Sequence, residues 1–124
     1  MAKIMVVDDN ERILEVLSKV LERKGYEVMV ANSGEKCLEM LKSEKPDLIL
    51  MDVMMPEMNG WKVVEKIKAD PSNKGIIISM LTVKSMTSDK DKSLIDVGAD
   101  YHISKPIDND ELLSTISHLL KTHE

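Results

Sequence analysis

The sequence predicts an α/β domain, a doubly wound parallel sheet with helices on both faces. Three observations lead there. Short aliphatic and β-branched runs alternate five times with longer segments whose apolar residues recur every three or four positions. One of the short runs, Leu48–Met51, is apolar without interruption, as expected of a strand buried on both faces by helices. The length of 124 residues, 43% of them hydrophobic, suffices for one core without a disulfide or metal staple. Strict alternation of strand and helix then favours parallel pairing through crossover helices.

Each element has its own signal. Lys3–Val7 reads as the first strand and Glu11–Lys24 as the first helix, with Ile13, Leu14, Leu17, Val20 and Leu21 at helical spacing and Gly25 placed to end it. Glu27–Ala31 is the second strand. Ser33 caps a second helix running to about Ser43, with Leu38 and Leu41 inward, and Pro46 separates it from the strand Leu48–Met51. Gly60–Ala69 forms the third helix, stopped by Asp70-Pro71, because a proline disfavours helix at the residue before it. Ile76–Thr82 is the fourth strand. Ser88 with Asp91 opens a fourth helix that Gly98 closes; Tyr101–Ser104 is a short fifth strand. Asp108 with Glu111 caps a last helix, whose buried stripe is Leu112, Leu113, Ile116, Leu119 and Leu120.

Charge and composition exclude several classes. Seventeen basic against 22 acidic residues give −5, so no basic face is available for a nucleic-acid duplex. Cys37 is the single cysteine and forms no internal disulfide, which suits a reducing compartment, and its place in a helix-like stretch favours a buried or half-buried thiol over a reactive one. The first apolar run is cut off by Asp8 and Asp9, unlike a signal peptide, and no run approaches a membrane span. The expectation is a cytoplasmic protein with no membrane or direct nucleic-acid partner.

In an open parallel sheet, ligands bind beyond the carboxyl ends of the strands. There the sequence places Asp8 and Asp9 after the first strand, Asp52 after the third, Thr82 at the end of the fourth and Lys105 after the fifth. Clustered carboxylates repel one another, a cost that a cation relieves, and an all-oxygen donor set favours a hard ion such as magnesium. An aspartate can also attack phosphorus to give an acyl phosphate, with metal, ammonium and hydroxyl neutralising the phosphoryl oxygens. The rim therefore holds the parts for phosphorylating one of its own aspartates.

The segments VVDD (Val6 to Asp9), DVMMPEMNG (Asp52 to Gly60), Thr82 and GADYHISKP (Gly98 to Pro106) resemble, in order and spacing, the receiver domain of response regulators. The resemblance covers nearly the whole chain and is closest to stand-alone, chemotaxis-type receivers. It implies a flavodoxin-like sheet of order 2-1-3-4-5 with five helices, and a single receiver domain over residues 1–124. It implies that Asp52 accepts phosphate from a sensor histidine kinase, that Asp8, Asp9, Asp52 and the backbone carbonyl of Met54 hold Mg2+, and that Thr82 and Lys105 bind the phosphoryl oxygens. Such a domain catalyses only its own phosphorylation and autodephosphorylation. Phosphate would draw Thr82 inward and repack the surface of the fourth helix, fifth strand and last helix, as a monomer or a phosphorylation-dependent dimer. The chain ends just after the last helix, so the expected output is contact with a downstream protein.

Blander readings stand beside these. Asp8 and Asp9 alone would help cap the next helix, with Asn10 beside them, and Lys105 alone would be a solvated lysine. Ten methionines and no phenylalanine point to methionine filling core volume, with Met54 bordering the site. His102 stands where the family usually has an aromatic switch residue. It is either that switch, which would make the output face pH-sensitive, or a half-buried strand residue. Two rival functions are weighed: an aspartyl phosphatase, disfavoured because Met54 occupies the usual place of its second acid, and a phosphate-independent binding module of the same fold. A receiver cut from a longer regulator with an effector domain is the remaining alternative.

Overall fold

The computed structural model describes residues 2–55, 59–83, 101–105 and 107–122. Its five strands are β1 (Lys3–Val7), β2 (Glu27–Ala31), β3 (Leu48–Asp52), β4 (Ile77–Val83) and β5 (Tyr101–Lys105). Four α-helices are described: α1 (Glu11–Arg23), α2 (Gly34–Met40), α3 (Gly60–Ala69) and α4 (Asn109–Thr122), with a 3-10 turn at Pro71–Asn73. All strands pair in parallel in the order β2-β1-β3-β4-β5, the order that the resemblance implies. The helix expected between Ser88 and Gly98 lies outside the described residues.

Caps start the helices where polar side chains take up orphan backbone N–H groups. Asn10 accepts from Arg12 and Ile13, Ser33 from Lys36, Asn59 from Lys62, and Asp108 from Asp110 and Glu111. Gly25 ends the first helical segment at φ 90°, a left-handed conformation that a side chain would strain. The second helix is shorter than the expected reach to Ser43. Lys42 and Ser43 donate backbone N–H groups to carbonyls three residues back, at Glu39 and Met40, which closes the end in a tight turn.

Residues alternate along each strand between two cores. Met5, Val7, Ile49, Met51, Ile78 and Met80 face α2 and α3, joined by Cys37, Val63, Val64 and Ile67. Ile4, Val6, Leu48, Leu50, Ile77 and Leu81 face the other way, with Leu14, Leu17, Leu21, Leu112, Ile116 and Leu119. This two-residue period is the strand geometry, and burial on both faces explains why β1 from Ile4 and β3 up to Met51 read as unbroken apolar runs. Met5, Met29, Met51, Met55 and Met80 are buried, so methionine does fill core volume here. Trp61 is half-buried against the first core.

Cys37 is fully buried, and burial pushes its thiol up to about 12 from an ordinary 9.0. A raised folded-state value contributes stability that is full below the unfolded value near 9.0 and is lost as pH rises toward 12. At neutral pH the thiol is protonated and walled off. Modification of native Cys37 by a disulfide reagent at pH 8 should run about 100-fold or more slower than in denaturant, because the thiol reacts only from opened states. A fast native reaction would show that α2 does not seal it.

Candidate functional site

The alternation that builds the two cores also builds the site. Ile4 pairs with Leu48 and Val6 with Leu50 across β1 and β3, and the next residues of the same parity are Asp8 and Asp52. The strands thus run side by side until hydrophobic residues give way to two carboxylates on the same face. Asp8 is 1% exposed and Asp52 3%, whereas Asp9, on the loop after β1, faces solvent. One carboxylate oxygen from each of the three lies within 4.8 Å of the others. They line a cleft of about 200 Å³ with Asn10, Ile13, Met54 and Leu81.

Local structure fixes these acids. The Asp8 backbone N–H donates to the Ala31 carbonyl at 3.2 Å, carrying the β1–β2 ladder one residue past β1. The Asp8 Oδ1 accepts from the Asn10 N–H at 2.9 Å, a tight turn that leads straight into α1. The helix itself is capped by Asn10 and not by the acids, so Asp8 shapes only the turn ahead of the cap while facing the cleft. Asp52 is the last residue of β3 rather than the residue after it, and pairs with Leu81. The Val53 N–H then donates to the Leu81 carbonyl at 3.3 Å, so Asp52 is held against β4.

The other expected residues fall on the same rim by backbone position. Thr82 and Val83 end β4, opposite Ser104 and Lys105 of β5. Thr82 lies one residue beyond Leu81, the register partner of Asp52. Met54 is 66% exposed at the cleft, bordering it as expected. His102 pairs with Met80 on β5 and is partly exposed, its ring stacked on Tyr101 at 5.9 Å between centroids. Sequence reasoning gave no site role to Ile13 or Leu81, which supply the apolar part of the lining; nothing but the three-dimensional register reveals them.

The donor set fits a hard divalent cation. Every donor is oxygen, two of the three carboxylates are shielded from water, and among the described residues the lining contains no basic group. Magnesium takes one or two carboxylates and keeps several waters in an octahedral shell of roughly 2.1 Å radius. Three acids converging this closely at the mouth of a cleft suit such a partly hydrated ion, with Met54 near enough in sequence to offer its carbonyl.

Comparison with known proteins agrees with this geometry. A model of the response regulator receiver domain family matches residues 4–117. The chain is 38% identical over 122 residues to the alkaline phosphatase synthesis transcriptional regulatory protein PhoP of Bacillus subtilis, covering 98% of this chain and 50% of that regulator. It is 33% identical to protein PilH of Pseudomonas aeruginosa, covering 97% of this chain and 98% of PilH. It thus spans about half of some relatives and nearly all of another. The solved structure of the Vibrio cholerae chemotaxis protein CheY4 superposes with a TM-score of 0.90 at 33% identity, over 95% of this chain and 98% of that one. With the fold, the strand-end acids and the family match all in place, the chain belongs to the receiver domain family of two-component response regulators.

Proposed function

We propose that this chain is a phosphoacceptor whose Asp52 takes a phosphoryl group from the phosphohistidine of a sensor histidine kinase. The observation that carries the reading is the meeting of the Asp8, Asp9 and Asp52 carboxylates within 4.8 Å at the carboxyl ends of β1 and β3. An Asp52 oxygen forms the new bond to phosphorus as the bond from phosphorus to the histidine nitrogen breaks, and the imidazole leaves with that electron pair. Asp8, Asp9, Asp52 and the Met54 carbonyl would hold Mg2+, which when bound neutralises charge on the phosphoryl oxygens. Thr82 and Lys105, at the ends of β4 and β5, supply the hydroxyl and ammonium for the remaining oxygens.

Phosphorylation then acts as a covalent charge that biases two arrangements of the surface made by the helix expected at 88–98, β5 and α4. A downstream protein that binds one arrangement better reads the signal. His102 on β5 is the switch candidate on that face. The chain would act on no substrate but itself, in the cytoplasm, as a monomer or a phosphorylation-dependent dimer. Because it spans about half of PhoP, a place within a longer regulator carrying an effector domain is the alternative setting.

Intact-mass spectrometry after acetyl phosphate and magnesium, on wild type and Asp52→Asn together, tests the reading. One phosphoryl adduct is expected, dependent on magnesium and absent from the variant. If neither acetyl phosphate nor beryllium fluoride engages the wild type, the receiver fold serves as a phosphate-independent binding module and the proposal falls.

A further inference from the structure

Gly60 opens α3, and its backbone lies against the peptide that follows Asp52. A Cβ built on Gly60 would stand 2.2 Å from the Asp52 carbonyl oxygen, 3.0 Å from the Asp52 carbonyl carbon and 3.0 Å from the Val53 Cα. All three neighbours are main-chain atoms, which do not swing aside as a side chain would. The Gly60 N–H also donates to the Val53 carbonyl at 2.9 Å. The first turn of α3 is thus hydrogen-bonded to one end of residue 53 and pressed on its other end, the Asp52–Val53 peptide. That peptide is held from the opposite side by the Val53 N–H bond to Leu81.

We propose that Gly60 is a positioning residue for the Asp52 carboxylate: its missing side chain lets α3 clamp the Asp52–Val53 peptide, and the clamp sets where Asp52 meets Asp8 and Asp9. This rests on the phosphoacceptor reading above for its rate measurement but not for its metal measurement. A methyl group at position 60 forces either α3 outward or the Asp52–Val53 peptide inward. Valines 63 and 64 and Ile67 root α3 in the core, all fully buried. The displacement therefore falls substantially on the peptide, and with it on Asp52. A shift of about 1 Å at a reacting group can slow a reaction by about 100-fold.

The test compares Gly60→Ala with Ile67→Val, a core truncation in the same helix far from Asp52, at a temperature where both are folded. Magnesium binding is followed by the amide shifts of Asp52 and Val53, and phosphorylation by intact mass with acetyl phosphate. Gly60→Ala is expected to slow phosphorylation about 100-fold at saturating magnesium and to weaken magnesium binding about 10-fold. Ile67→Val should leave both within about twofold, since it alters packing without touching the peptide. If the wild type binds magnesium but takes up no phosphoryl group, the phosphoacceptor reading fails while the affinity shift still decides the role of Gly60. Should Gly60→Ala not fold, Asn59→Ala loosens the same turn by removing the cap that receives the Lys62 N–H. A several-fold loss of magnesium affinity is then expected. Site measurements for these variants no different from those of Ile67→Val would overturn the proposal.

Discussion

Alanine in place of Leu50 should cost about 3–4 kcal/mol of folding stability, a large share of the roughly 5–15 kcal/mol that a domain of this kind has. Leu50 is fully buried in the central strand, on the face covered by α1 and α4. Its register partners are Val6 on one side and Ser79 on the other. Ser79 is small and fixed in the sheet, so it cannot expand into the space that truncation leaves. Ser79 is itself fully buried, and among the described residues its hydroxyl has no hydrogen-bond partner. The loss should therefore fall near the middle of the range seen for such truncations, and urea unfolding with an unchanged slope measures it. Met51→Leu, one residue on and facing the other core, keeps the volume and should cost less than about 1.5 kcal/mol. A loss below about 1 kcal/mol for Leu50→Ala would mean that this core rearranges freely.

The fold was legible because β1, β3 and β4 are almost wholly buried where described, and because α1 and α4 announce their buried stripes. Apolar runs gave β1 and β3, and Gly60–Ala69 was read to the residue because a glycine and an Asp-Pro bracket it. Misjudged ends have physical causes. Hydropathy stops β3 at Met51, but the hydrogen-bond ladder carries it through Asp52, since pairing depends on backbone groups and not on polarity. Helical spacing carries α2 past Met40, whereas two three-residue backbone bonds close it there. Cys37 is more deeply buried than Leu38, a rotation of the helix that a seven-residue element has too few apolar positions to specify.

At the site, Asp8, Asp9 and Asp52 were legible as strand-end acids. Parallel pairing in register turns that position into proximity without further information. Gly60 was visible only as a motif letter. Its requirement comes from a carbonyl eight residues upstream that meets it through tertiary packing, and no local pattern marks such an approach. Asn10 was read as a neighbour of the acids. Its backbone N–H turns out to hold one of them, because a turn this tight after β1 leaves that donor facing the Asp8 carboxylate.

Magnesium at ten times its dissociation constant should raise the unfolding free energy by about 1.4 kcal/mol, and Asp8→Asn should abolish nearly all of that gain. The increment follows from linkage: an ion that binds the three converged carboxylates of the folded chain, and not the separated ones of the unfolded chain, stabilises the fold by RT ln(1 + c/Kd) at free magnesium concentration c. Asp8→Asn is the informative substitution because its remaining side-chain oxygen can still accept the Asn10 N–H, so the turn into α1 survives while one charge goes. A variant that merely damaged the turn would lose stability in chelator and keep its response to magnesium. Loss of the cation site does the reverse, flattening the magnesium response while stability in chelator holds or rises, since one of three mutually repelling charges is gone. Thermal unfolding in chelator, in magnesium and in sodium chloride of matched ionic strength separates the two. General screening acts on exposed Asp9 whichever salt is used and gives equal curves in both. Only coordination between Asp8, Asp9 and Asp52 distinguishes the divalent ion, and equal stabilisation by both salts would remove the cation from this cleft.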